Sequence, residues 1–324
     1  MAGQFSPRSI SHRNPSRLKR GILLAATCAT FAMRGDLPAQ VRGLAEPTGL
    51  VTVHRNLKYR PREPGELLPI GNLLDVYLPK SKTDFPVILL IHGGAWVAGD
   101  KSLDFIPLVA RRFAQQGFGV VAANYRLSPL VRHPAHIEDV AKALAWTVNN
   151  IARYGGRANT ILLVGHSAGG HLVSLAITDT QFIRREGVSP DVIRAVVGVS
   201  GVYQVSDLTV NAIAPGLRLA SHAAVVVSPF ALAFGTDAEV WRQASPQSHV
   251  QNGLPPFLLV TAKYDLPTLT GMAENFHAEL KAHDVETQWL QAPWRGHATN
   301  FWQMARADDA TFRAVVDFLK AHSD

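Results

Sequence analysis

The chain has 324 residues, of which 47% are hydrophobic and 18% are charged, a balance typical of a folded chain with a sizeable core. Its formal net charge is +7, but residues 1–39 carry +5 of that charge and all later residues together carry +2. The body of the chain is therefore close to neutral and lacks the basic stripe with which proteins follow nucleic-acid phosphates, so we expect no nucleic acid among its partners.

Residues 1–39 are predicted to be a secretory signal peptide. A basic segment precedes Gly21–Met33, a stretch without charge that is too short for a transmembrane helix. We therefore expect export to the periplasm or beyond, with no stable membrane insertion. The single cysteine, Cys28, lies in this stretch, so the mature chain is expected to have neither disulfides nor cysteine-ligated metals.

Strand-like and helix-like segments alternate from residue 50 onward, at the spacing of a doubly wound sheet. Strands are predicted over residues 51–58, 73–78, 86–92, 118–124, 161–165, 194–199, 256–262 and 286–292. Helices are predicted over residues 103–116, 135–153, 168–178, 268–283 and 307–321, with another near 237–244. The first two strands alternate in polarity and predict an antiparallel edge hairpin, whereas runs such as Val87–Ile91 are apolar throughout and predict central strands. We expect residues 40–324 to form a single α/β domain.

Residues 204–236 interrupt this alternation. Pro215, Gly216 and Pro229 break apolar runs in this segment, which follows the sixth predicted strand. Two interpretations stay open: a lid or pocket wall over a binding site, or ordinary helical packing against the body.

The sequence Gly165-His166-Ser167-Ala168-Gly169 follows an apolar strand and precedes a helix. A serine between small residues at a strand-to-helix turn is the pattern of a nucleophile elbow, in which the tight turn requires glycine and points the hydroxyl away from the sheet. Ser167 is therefore the predicted catalytic nucleophile.

Asp265 and His297 are the predicted partners of Ser167. Serine is a weak nucleophile near neutral pH, so it needs a base, and the base needs an acid that orients it. Asp265 directly follows the seventh predicted strand, and His297 follows the last strand in a glycine-flanked loop. Because the carboxyl ends of parallel strands meet at one edge of a sheet, we expect the three side chains to lie together.

Other acids and histidines fit these roles less well. Asp284 falls at the opposite end of the predicted sheet, and Asp308 and Asp309 are expected to cap the final helix. His133 and His136 have no carboxylate set that would complete a metal site, and no His-Glu-x-x-His pattern occurs. We therefore expect neither a metal nor a cofactor.

An oxyanion hole is predicted at His92-Gly93-Gly94-Ala95-Trp96, which follows the third strand. Consecutive glycines leave backbone N–H groups free to turn toward a substrate oxygen. We expect Gly93 and Gly94 to act together with the N–H of Ala168, at the start of the elbow helix.

Five motifs carry a resemblance to a known family: His92–Trp96, Tyr125-Arg126-Leu127-Ser128-Pro129, Gly165–Gly170, Asp265 and Gly296-His297. With them the chain resembles the α/β-hydrolase esterases related to hormone-sensitive lipase. Within these it is most similar to the kynurenine-formamidase-like and isoprenylcysteine-methylesterase-like carboxylesterases, a branch that includes bacterial feruloyl and acetylxylan esterases. The resemblance covers about residues 70–322. It implies an α/β-hydrolase fold: a mostly parallel eight-stranded sheet with helices on both faces and a small cap or lid insertion.

Two departures from the family pattern matter. Ala95 stands where hormone-sensitive-lipase relatives usually have a third glycine, so Ala95 is not expected to be an essential donor. Residues 40–70 are short and broken by prolines, so the helical cap of such enzymes is expected to be reduced and supplemented by residues 204–236. Tyr125-Arg126 is expected to be a structural element.

The chemistry expected of these residues is hydrolysis of a carboxylic ester through an acyl-Ser167 intermediate, on short-chain or small aryl or sugar esters. Trp96 is the first candidate for lining the substrate pocket, and Phe301 and Trp302 are weaker ones. The alternatives are an aryl formamidase with the same machinery, a non-catalytic binding protein of the same fold, and, with a mobile lid, a lipase for longer acyl chains. A homo-oligomer stays open.

Overall fold

The computed structural model describes residues 50–68, 70–80, 82–103, 105–206 and 228–323. The predicted signal peptide over residues 1–39 lies outside the described residues. So does most of the predicted cap or lid insertion at 204–236, of which only 204–206 and 228–236 are described.

An eight-stranded sheet forms the centre of the molecule, with the order β1-β2-β4-β3-β5-β6-β7-β8. Its strands are β1 (Val51–Lys58), β2 (Leu73–Pro79), β3 (Phe85–Ile91), β4 (Gly119–Ala123), β5 (Gly156–His166), β6 (Ile193–Val199), β7 (Phe257–Tyr264) and β8 (Thr287–Gly296). Strand β2 is antiparallel to both β1 and β4, and every other pairing is parallel. The predicted antiparallel edge hairpin and the mostly parallel sheet are both confirmed.

Helices cover the two faces of the sheet. They are α1 (Phe105–Gln115), α2 (Ala135–Asn150), α3 (Ala168–Thr178), α4 (Gln181–Arg185), α5 (Pro229–Phe234), α6 (Ala238–Ala244), α7 (Leu269–Ala282), α8 (His297–Trp302) and α9 (Ala310–Ala321), with short 3₁₀ turns between some of them. Helices α2, α3 and α7 pack on one face, and α1 and α9 pack on the other. None of the helices in the described ranges is long and apolar enough to cross a membrane.

The central strands are apolar throughout because both of their faces are covered. In β3, Val87, Leu89 and Ile91 belong to the core beneath α2 and α3, while Ile88 and Leu90 belong to the core beneath α1 and α9. Side chains alternate between the faces of a strand, so a strand in this position needs an apolar residue at every step.

Strands β5, β7 and β8 extend beyond their predicted ends. β7 continues through Lys263 to Tyr264, and β8 continues to Gly296, although these last residues are polar or small. Apolar content marks where a strand is buried, but backbone pairing continues wherever a neighbouring strand offers N–H and C=O groups. This extension brings the end of β8 directly to His297.

A buried ion cluster holds the connection between β1 and β2 against the body. Asp139 on α2 accepts from Arg60 Nε at 2.9 Å and from Arg126 Nε at 2.7 Å, and Arg60 also pairs with Glu66 at 2.9 Å. The Asp139 side chain is fully buried. The neighbouring Tyr125 hydroxyl donates to the carbonyl of His92 at 3.2 Å. Tyr125 and Arg126 thus tie the loop after β4 to α2 and to the loop after β3.

Replacing Asp139 by Ala is expected to lower the free energy of unfolding by about 3–5 kcal/mol, because two arginines would lose the carboxylate that compensates their buried charge. Urea unfolding of the purified protein measures this. Arg242→Ala is the matched control, since the Arg242–Glu239 pair is exposed and its loss should change stability little. Equal effects of the two substitutions would contradict this account of the cluster.

Candidate active site

Ser167 lies in a sharp turn between β5, which ends at His166, and α3, which begins at Ala168. Its backbone has φ 54° and ψ −118°, a strained conformation for a residue with a side chain. The turn packs closely against β3, because a Cβ at Gly169 would lie 2.1 Å from the carbonyl oxygen of Ile91. Only glycine fits at that position, and the serine side chain is left at the carboxyl edge of the sheet.

The structure brings Ser167, His297 and Asp265 together. Ser167 Oγ lies 2.8 Å from His297 Nε2, and His297 Nδ1 lies 2.7 Å from Asp265 Oδ1. Since a carboxylate can only accept, Nδ1 carries the ring proton and Nε2 is left to accept the Ser167 hydroxyl proton. The three residues directly follow β5, β7 and β8. In the sheet, β6 lies between β5 and β7, and β8 lies next to β7.

The rival acids lie elsewhere. Asp309 caps α9 by accepting from the backbone of Phe312 and pairs with Arg295. Asp308 is exposed beside Arg306, and Asp284 lies in the turn between α7 and β8, at the amino end of β8. In the described part of the chain, the hydrogen bonds of His297 go to Ser167, Asp265 and His166, and not to these three acids.

Asp265 is surrounded by donors. Oδ1 also accepts from the backbone N–H of Leu266 at 2.9 Å, and Oδ2 accepts from the hydroxyl of Ser200 at 2.6 Å and from the N–H of Ala262 at 3.0 Å. Burial by itself would raise the pKa of this carboxyl, but the hydrogen bond and charge of His297 and the further donors outweigh it and lower the pKa below its ordinary value. Asp265 is therefore an ionised acceptor for His297 over the neutral pH range.

His166 supports His297 from the other side. The His166 ring is buried, and its Nε2–H donates to the carbonyl oxygen of His297 at 3.1 Å. It also stacks on Phe301 with a centroid distance of 5.2 Å. Burial, together with the nearby His297, lowers the pKa of His166 to about 3. His166 is thus a neutral positioning group for the backbone of α8.

The predicted oxyanion residues lie against Ser167. A Cβ at Gly93 would lie 3.1 Å from the Cβ of Ser167 and 2.9 Å from the carbonyl oxygen of His166, so a side chain there would collide with the elbow. Gly94 has a φ of 126°, and its carbonyl accepts from Ala98 N–H at 3.0 Å in a tight turn. Ala168 is in the first turn of α3, where N–H groups have no acceptor within the helix.

Two of the aromatic residues predicted to line a substrate pocket lie in the interior. Trp96 is 1% exposed, donates from Nε1 to His171 Nδ1 at 3.3 Å and packs edge-on against Phe230 and Phe234. Phe301 is fully buried beneath His166. Trp302 is half-buried. The positive φ angles of Ala95 and Trp96 show that the loop turns sharply inward, which carries the indole into the core.

Two exposed aromatic residues lie close to Asp265 and His297 in the chain and were not singled out from the sequence. Tyr264 immediately precedes Asp265, Trp294 lies three residues before His297, and their ring centroids are 6.4 Å apart. Trp294 is 83% exposed and Tyr264 is 60% exposed. In the register, Ala262 pairs with Ala292 but Tyr264 pairs with Gly296, so β8 carries a bulge that turns Trp294 outward. We call Tyr264 and Trp294 the aromatic rim.

Within the described ranges, no group of three or more histidine, cysteine, aspartate or glutamate side chains is arranged to hold a metal ion. His136 Nε2 donates to the hydroxyl of Ser128 at 3.0 Å, and that hydroxyl donates to the carbonyl of Val131. The His133 ring packs against Phe182 and Phe234. These two histidines therefore have contacts typical of the core.

Acidification is expected to destabilise the fold because three buried histidines and the half-buried His133 resist protonation. Burial lowers the pKa of His133 to about 4 and those of His136, His166 and His171 to about 3. In the unfolded chain these rings take up a proton near pH 6.5, whereas in the folded protein they do so only near pH 3 to 4. The contribution of the neutral rings to the free energy of unfolding is therefore fully present above about pH 6.5. It falls toward pH 3, by up to about 1.4 kcal/mol per pH unit for each ring. Urea unfolding at several pH values measures the slope. His136→Asn should flatten it, and a slope that does not change in this variant would contradict the prediction.

Comparison with known proteins places this geometry in a family. The model of the family described as BD-FAE matches residues 74–280. Esterase LipC of Mycobacterium tuberculosis is 31% identical over 272 residues, which cover 82% of this chain and 65% of that protein. A probable isoprenylcysteine alpha-carbonyl methylesterase of Arabidopsis thaliana is 30% identical over 262 residues, or 76% of this chain and 52% of that protein. The chain thus spans about half to two thirds of the length of these relatives.

A solved structure shares the fold. Esterase B of Lactobacillus rhamnosis, in a form inhibited by a tributyrin phosphonate, superposes with a TM-score of 0.73 over 94% of this chain and 96% of that one, at 22% identity. The eight-stranded sheet with helices on both faces is therefore the α/β-hydrolase fold. Since the family model covers well over half of the sequence, the chain belongs to the BD-FAE family.

Proposed function

We propose that the protein is a serine carboxylesterase that works through Ser167, His297 and Asp265. One observation carries this proposal: the hydrogen-bonded chain from Ser167 Oγ through His297 to Asp265, at 2.8 and 2.7 Å, on a strained strand-to-helix turn. A serine in this environment has a base to take its proton and an acid to orient that base. The esterase names of its relatives support the same chemistry.

The first half of the reaction follows from the tautomer of His297. Nε2 removes the Ser167 hydroxyl proton as Oγ attacks the ester carbonyl carbon, and the carbonyl oxygen becomes an oxyanion. The N–H groups of Gly93, Gly94 and Ala168 are the proposed donors to that oxyanion. Asp265 stabilises the imidazolium that forms, because its carboxylate stays ionised while it accepts from Nδ1.

Collapse of the tetrahedral intermediate breaks the ester bond. His297 returns its proton to the departing alkoxide, so the alcohol leaves neutral and an acyl-Ser167 remains. A water then takes the place of the alcohol, gives a proton to His297 and attacks the acyl carbon. The acid is released and Ser167 recovers its proton.

Short-chain esters and small aryl or sugar esters are the proposed substrates. We further propose that the aromatic rim contacts a ring in the substrate, because exposed Tyr and Trp faces stack on planar or ring-shaped groups. An aryl formamidase would use the same three residues on an N-formyl amide. The ester-hydrolase names of the relatives favour the ester, and the intact hydrogen-bonded chain argues against a purely non-catalytic role.

The leader predicted over residues 1–39 leads us to propose that this activity is exported. N-terminal sequencing of secreted protein tests that proposal, since an intact Met1 on protein found inside the cell would contradict it.

Wild type is expected to hydrolyse p-nitrophenyl acetate and butyrate faster than the palmitate, and Ser167→Ala is expected to lower kcat by at least about 10⁴-fold, because the nucleophile is lost. Ser189→Ala, which removes an exposed serine hydroxyl, is the matched control and should keep full activity. Turnover that survives Ser167→Ala would reject the mechanism. Faster turnover of an aryl formamide than of any ester would favour the formamidase.

Trp294→Ala is expected to raise KM for the methyl ester of an aromatic acid by about 5- to 10-fold while that for methyl butyrate stays unchanged, because only the aromatic substrate loses a stacking partner. Trp289→Ala is the matched control, since Trp289 is a partly exposed tryptophan on the same strand, bonded to Thr261. Equal changes in KM for both substrates would mean that the aromatic rim does not bind the ring of the substrate.

A further inference from the structure

Ser200 is the residue after β6, the strand that lies between the strands of Ser167 and Asp265. Its backbone N–H donates to the carbonyl of Val260 on β7 at 2.7 Å, and its side chain is almost fully buried. From this position its hydroxyl reaches Asp265 Oδ2 at 2.6 Å. This is the carboxylate oxygen that His297 does not use.

The direction of the hydrogen bonds at Ser200 is determined by its two neighbours. The ionised carboxylate of Asp265 can only accept, so the Ser200 hydroxyl must donate to it. The second neighbour, Asn300, lies 3.0 Å away through Nδ2, and an amide nitrogen can only donate. If the Asn300 amide were flipped, its oxygen would face Ser200, and the single hydroxyl hydrogen would have to serve both Asn300 and Asp265. The hydrogen bonds therefore run in one direction, from Asn300 to Ser200 and from Ser200 to Asp265.

Asn300 connects this chain back to the base. It is fully buried and lies on α8, one helical turn after His297. Two routes therefore join the acid and the base: the direct bond from His297 to Asp265, and the path through Ser200, Asn300 and the backbone of α8. Because of this closed ring of contacts, the carboxylate can rotate away from His297 only if a second buried hydrogen bond, the one from Ser200, also breaks.

The backbone at Ser200 indicates that the hydroxyl is needed. Ser200 has a φ of 49°, in the left-handed region that glycine adopts without strain and serine does not. A glycine would adopt this backbone conformation with less strain. The serine is strained there, yet its hydroxyl supplies one of the two donors to Asp265 Oδ2.

We propose that Ser200 and Asn300 are positioning residues that hold Asp265 in the one orientation in which it can serve His297. This inference rests on the proposed esterase function and adds two residues that act through Asp265 and do not touch substrate. Without them the carboxylate keeps its bonds to the backbone of Leu266 and Ala262, but Oδ2 loses the shorter of its two hydrogen bonds.

The test measures kcat and KM for p-nitrophenyl butyrate in Ser200→Ala and Ser200→Gly. Both variants lack the hydroxyl, and the glycine variant also relieves the backbone strain. We expect kcat to fall by about 10-fold in both, since a hydrogen bond to a charged group is lost, with KM unchanged because no substrate contact is removed. The downfield proton resonance of the bond between His297 and Asp265 should shift or broaden in both variants.

Asn300→Ala should lower kcat in the wild-type background but add little to Ser200→Ala, because Asn300 acts through Ser200. Thr147→Val is the matched control, since it removes the hydroxyl of another fully buried side chain, on α2, and should leave kcat unchanged.

Three outcomes would overturn the inference: an unchanged kcat in both Ser200 variants, a loss that Ser200→Gly repairs, or fully additive effects of Ser200→Ala and Asn300→Ala. The first would mean that the hydroxyl does not position Asp265, the second that backbone strain alone is responsible, and the third that Asn300 does not act through Ser200. A wild type without turnover that depends on Ser167 is a different result, which would reject the proposed function itself.

Discussion

The hydrogen bond between His297 and Asp265 is the interaction on which the rest of the site depends. It joins the ends of two neighbouring parallel strands, β7 and β8, whose register brings Tyr264 opposite Gly296. This bond selects the tautomer of His297 and leaves Nε2 facing Ser167. Hydrogen bonds from Leu266, Ala262 and Ser200 then stabilise the ionised carboxylate and its orientation toward His297.

Several strained backbone positions follow the strands that carry this site. Ser167, Ser200, Ala95 and Trp96 all have positive φ, and each follows a central strand directly or within a few residues. Packing holds these conformations in place, for example where the elbow meets the carbonyl of Ile91 and where the Trp96 indole is buried against Phe230 and Phe234. Strain at a functional edge that is supported by a rigid sheet is a common property of such sites.

The sequence anticipated the strands and the longer helices closely but not the short helices α4 and α8, and it anticipated the residues that the structure brings together at the carboxyl edge. Ser167, Asp265 and His297 each directly follow a strand, and that pattern can be recognised locally, although His297 begins α8 and does not lie in the predicted loop. Ser200 and Asn300 could not be found in this way, because an ordinary serine and asparagine reach Asp265 and each other only when β6 and α8 meet. The same holds for Trp294, whose exposure depends on a bulge in β8, and for Trp96, whose indole turns inward.

The sequence by itself determined the order of strands and helices, the glycine-dependent elbow and the types of residue that follow the strands at the carboxyl edge of the sheet. These features depend on local polarity patterns and on backbone sterics within a few residues. Only the tertiary structure decided which donors saturate Asp265, which aromatic residues are buried and which face solvent. The reason is physical: burial and hydrogen-bond partners are properties of elements far apart in the chain, and packing alone brings them within reach.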